Sequence, residues 1–157
     1  GEFEFFEGRS SYNMVKASIQ NYFGELMTDF EGACYGQYFL EFADYYTREN
    51  ADGSDFLKLA YQSLRALTVK SIPRRLVRCI YEIRLIVANG EFPGLPQGNF
   101  SETALYAVEF IAGTPVEKLY TFTLKEEVLA ELVQIAEKYR RDFLPGEFHT
   151  LEILETL

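Results

Sequence analysis

Four arginines within eleven positions, Arg74, Arg75, Arg78 and Arg84, are the side chains of this sequence best equipped to meet a partner. A guanidinium keeps its charge at all ordinary pH values and presents a rigid fork of donors, so the chemistry on offer is recognition of carboxylate or phosphate. All four lie in PRRLVRCIYEIRLIVANG, residues 73–90. At helical spacing Arg74, Arg75, Arg78 and Glu82 share one narrow arc, which makes a cationic ridge along the first two turns. Arg84 falls between Val77 and Ile80 on the apolar side. A charge there requires a carboxylate or a bound anion, unless its stem snorkels to water. Glu41 is one candidate partner, whereas Glu82 points away from Arg84 on its own helix.

Other reactive groups are sparse. The single histidine, His149, stands in a terminal turn without a nucleophile near it in sequence and reads as a surface or capping residue. Glu126 and Glu127 suit a helix N-terminus better than acid–base work. Cys34 and Cys79 are far apart, belong to no C-x-x-C pair and sit in apolar helical patterns, so they read as buried small hydrophobes. No nucleophile elbow, phosphate loop, dinucleotide fingerprint or zinc-protease motif occurs. The expectation is a non-enzymatic protein with no cofactor and no metal.

The chain of 157 residues has a net charge of −9, unevenly spread. Residues 1–61 carry 4 basic and 11 acidic side chains, residues 62–90 carry 6 and 1, and residues 91–157 carry 5 and 12. One basic island therefore lies in an acidic protein. Left to itself it is a solvated face, or one paired with the chain's own carboxylates. Given a partner, its arginines beside an apolar groove can clamp an acidic, aromatic-ended peptide. DNA phosphate is the other anion to consider, bound weakly, through this patch alone and with steep salt dependence.

The elements that would position the island are helices. Residues 73–90 begin with a proline suited to a first turn and end in Asn89-Gly90, and their apolar positions spread so widely that the helix must be covered on most sides. Before it, residues 31–49 stack Tyr35, Phe39, Phe42 and Tyr46 on one face, and a helix capped by Ser54 or Asp55 runs to about Val69. After it come a loop with two prolines, a helix started by Ser101 and closed by Gly113, and a long helix capped by Thr123 with Glu126 completing a capping box. A further helix is expected from Tyr12 to Phe23, an amphipathic turn from Glu25 to Phe30 and a last apolar turn from Phe148 to Leu154. The acid–aromatic alternation of EFEFFE, residues 2–7, reads either as a strand without a mate or as a tail resting on the helical body. The fold class is all-α: an irregular bundle of about six or seven helices, with that residual N-terminal strand as the one addition. No run reaches the length of a membrane span and no signal sequence is evident, so the expected location is the cytoplasm.

Several stretches resemble, in the same order, the helical C-terminal domain of one family, the bacterial DNA-repair and recombination mediator RecO. They are YFLEFADYYTREN (38–50), DFLKLAYQSLRAL (55–67), RRLVRCIYEIRLIVANGEFP (74–93) and KLYTFTLKEEVLAELVQIAEKYRRDFLPGEFHTLEIL (118–154). The resemblance implies an N-terminal oligonucleotide-binding barrel that contacts single-stranded DNA. Here residues 1–9 would be its residual strand or linker and residues 10–157 the helical domain. Family members commonly carry a four-cysteine zinc insertion after the central helix, but residues 89–101 contain no cysteine, so no zinc is expected. The family also implies binding of the acidic, Phe-ended tail of single-strand-binding protein (SSB), cooperation with RecR, and RecA loading. On that view Arg74, Arg75, Arg78 and Arg84 are partner-binding residues. The reading from another class is a helical scaffold, adaptor or dimerisation module unrelated to DNA.

Overall fold

The structure, a computed structural model, describes residues 29–49 and 53–144. These form five α-helices and one short 3-10 turn, with no strand among the described residues. The helices are α1 (Phe30–Glu49), α2 (Ser54–Leu67), α3 (Arg74–Ala88), α4 (Glu102–Gly113) and α5 (Glu126–Phe143), with the 3-10 turn at Val116–Lys118. The all-α class is as expected. The strand at 2–7, the helix at 12–23, nearly all of the turn from residue 25 to 30, His149 and the last apolar turn lie outside the described residues.

Helix α3 is the hub. It packs against α1, α2, α4 and α5, while α1 also meets α2, and α4 meets α5. Nine of its fifteen residues are buried, among them Leu76, Ile80, Ile83 and Ile86. The apolar spread seen in the sequence follows from this, because a helix touched by four others needs greasy side chains on more than one face. Gly90, with φ of 76°, lets the chain leave α3 through the left-handed region.

Aromatic side chains of α1 fill the space beside α3. Phe39 stacks on Tyr81 with ring centroids 4.3 Å apart, and Tyr38 meets Phe42 edge-on at 4.8 Å. Farther along α1, Tyr46 lies parallel to Phe56 of α2 at 5.0 Å. Because such rings are buried, their polar ends need partners. The Tyr81 hydroxyl donates to the Phe39 carbonyl at 2.6 Å, and Tyr139 of α5 donates to the Gly94 carbonyl at 2.7 Å.

The helix starts agree with expectation in one case and depart from it in two. Ser101 caps α4, its Oγ accepting from the Ala104 amide at 3.2 Å, and Glu131 of α5 accepts from both the Ser101 amide and hydroxyl. The expected cap of α5 at Thr123 is replaced by Lys125, which makes no side-chain cap bond. Phe122 and Leu124 pack on the core and leave Thr123 outside, so the backbone stays extended for two more residues. Likewise α2 starts from Gly53, not from a Ser54 or Asp55 cap. A Cβ on Gly53 would meet Thr47 Cγ2 at 2.7 Å, so the close approach to α1 requires glycine there.

Candidate docking corner at the start of the central helix

The four arginines of α3 have four different environments. Arg74 is held by α1: its Nη2 lies 2.5 Å from Asp29 Oδ2 and its Nη1 3.6 Å from Glu31 Oε1. Asp29 is also the residue before α1, where Oδ1 accepts from the Gly32 amide at 3.2 Å. The Arg74 hydrogen bond, then the Gly32 amide, hold the Asp29 carboxyl below its ordinary range. Arg75, one residue on, is exposed and makes no ion pair among the described residues.

Arg78 is turned inward. Its guanidinium lies over the Tyr38 ring, 5.3 Å from the centroid, and its Nε is 3.4 Å from Glu82 Oε1. That contact is one of charge only, since Nε and Nη2 are buried and neither makes a hydrogen bond among the described residues.

Glu82 is the main departure from the wheel. Expected on the outer arc, it is 1% exposed. The Tyr38 hydroxyl donates to its Oε2 at 2.7 Å, and Arg140 Nη1 of α5 approaches the same oxygen at 3.3 Å. The fourth side of α3 is therefore closed by α1 and α5, and an internal carboxylate flanked by two arginines and a tyrosine holds that closure. Burial, with Glu82 beside it, pushes the Tyr38 hydroxyl above the usual phenol range, which keeps it a donor.

Arg84 also departs from expectation. Its Nη1 donates to the carbonyls of Ile111 and Ala112, each at 2.9 Å, at the C-terminal end of α4. These hydrogen bonds go to backbone carbonyls and not to Glu41. The exposed carbonyls and negative dipole end of a helix supply what a carboxylate would have given. Burial still lowers the Arg84 pKa.

The ridge thus resolves, among the described residues, into one cation without an ion pair, Arg75, beside one shared cation, Arg74, at the first turn of α3. Next to them Phe30 stands 69% exposed at the start of α1. Asp29, Glu31, Tyr38 and Arg140 were not among the residues expected at this corner. The position of Asp29 three residues before Gly32 was a cap signal available in the sequence; the other three depend on which helices become neighbours.

Among the described residues no helix is long and apolar enough to cross a membrane. None of their His, Cys, Asp and Glu side chains form a group of three able to hold a metal ion. The loop after α3 contains no cysteine, so it does not supply the ligands of a four-cysteine zinc site. Cys34 and Cys79 are buried and unbonded.

Among known proteins, this chain is similar to a protein named DNA repair protein RecO from Acetivibrio thermocellus, 23% identical over 190 residues that cover 99% of this chain and 75% of the relative. It is similar to proteins of the same name from Clostridium perfringens, at 23% over 166 residues, 86% of this chain and 74% of the relative in strain SM101. No protein-family model matches the chain, and no solved structure matches it.

Proposed function

We propose that this chain, a RecO-like protein, serves DNA repair in the cytoplasm as a non-enzymatic helical domain. Its role is to receive the acidic, Phe-ended tail of SSB and, together with RecR, to support the loading of RecA. The observation that carries the docking role is Arg75: an exposed guanidinium without an ion pair among the described residues, on the first turn of α3 beside a second arginine. A cation so placed steers and orients an acidic chain end, and the exposed ring of Phe30 offers an apolar surface to its aromatic residue. Contact with single-stranded DNA belongs mainly to an oligonucleotide-binding barrel of the kind the family carries, because this chain has a net charge of −9.

Isothermal titration with a peptide ending in Asp-Ile-Pro-Phe tests the docking role. Arg75→Glu, a surface change, should weaken binding at least tenfold, the scale expected for reversing one charge of an interfacial pair. Absence of heat at low salt, or affinity indifferent to Arg75→Glu, would overturn it.

A further inference from the structure

The contact between Arg74 and the start of α1 has the same chemistry as the ligand proposed for this corner. Residues 29–31 read Asp-Phe-Glu: two carboxylates placed on one guanidinium, with an aromatic ring between them that the fold leaves 69% exposed. The pairs are partly wet, since the side chains of Arg74, Asp29 and Glu31 are 24%, 39% and 50% exposed. Ion pairs in that range are weak enough to be exchanged for an equivalent partner. We infer that residues 29–31 act as a competitor in cis, a clasp that occupies Arg74 until an incoming acidic peptide replaces it.

This rests on the docking role proposed above and adds its regulation. Arg75 is open to the first encounter, whereas Arg74 is gained only by displacing Asp29 and Glu31. Asp29 has two oxygens in use, one on Arg74 and one on the Gly32 amide, so releasing the first leaves the cap of α1 in place. The clasp sets the affinity of the corner without altering the fold around it.

The test titrates one acidic, Phe-ended peptide into four proteins: the unaltered one, a clasp variant, a charge-matched control and the clasp variant carrying Arg74→Gln. In Asp29→Asn with Glu31→Gln both clasp charges are gone, yet asparagine still caps α1. Glu109→Gln with Glu117→Gln, two exposed positions on α4 and the 3-10 turn, matches its net charge. The clasp variant should bind about three- to tenfold tighter than the unaltered protein, as expected for removing two partly exposed competing pairs. The matched control should not change, and adding Arg74→Gln to the clasp variant should abolish the gain. Equal affinity in the clasp variant and the unaltered protein, or an equal gain in the control, overturns the clasp and leaves the docking role standing. No binding by the unaltered protein, the clasp variant or the control overturns both.

Discussion

At 1% exposure Glu82 sits between a hydroxyl donor, Tyr38, and the guanidinium groups of Arg78 and Arg140. Neutralising it removes the carboxylate that both Arg78 and Arg140 approach at side-chain exposures of only 16% and 13%, which is costlier than losing any one contact. Glu82→Gln should therefore destabilise the fold by about 3–5 kcal/mol, read as a fall in the urea midpoint without a change of slope. A loss near the ±0.5 kcal/mol typical of surface substitutions would mean that the carboxylate is solvated. Helical spacing in the sequence put Glu82 correctly on the arc with Arg78. It could not show that the arc faces Tyr38 and Arg140 instead of water, because those residues are 44 and 58 positions away.

At the scale of the element, the junction of α3 with α4 turns on Arg84. Two carbonyls at the end of α4, otherwise short of donors, share its Nη1. Arg84→Met keeps most of the stem but withdraws both bonds, and should cost about 1–3 kcal/mol in equilibrium unfolding, with little change in helix content by circular dichroism. The helices themselves were legible from apolar period and turn residues, α3 and the Ser101 start of α4 most clearly. What escaped was the partner of a half-buried cation. Side-chain carboxylates are visible in a sequence, whereas a free carbonyl becomes a partner only once a helix end is aimed at the charge. The starts of α2 and α5 escaped for a related reason: contacts with Thr47 and with the core outweigh the local preference of Ser54 and Thr123 for capping.

For the whole molecule, the ordering of stability should follow the hub arrangement. Every described helix touches α3, so its middle amides open only when the others detach, while α4 can loosen alone. Native-state hydrogen exchange should find the slowest amides around Ile80, Tyr81 and Ile83, with protection near the global unfolding free energy. Faster exchange there than in α1 or α5 would refute the ordering. The all-α architecture was readable because composition and period need no knowledge of neighbours. The closure of three of the four arginines was not, since it depends on how the helices assemble.

The open first turn of α3 has a thermodynamic corollary. A surface loop can melt beneath its ligand, so that binding protects the loop and little else. Here the first turn is continuous with the segment of α3 that should exchange slowest, so a molecule seated on Arg74 and Arg75 would be held by a helix that packs on four others. Occupancy at that tip is then linked to global melting: at a hundredfold excess over Kd it would add about 2.7 kcal/mol to the stability of every helix at once.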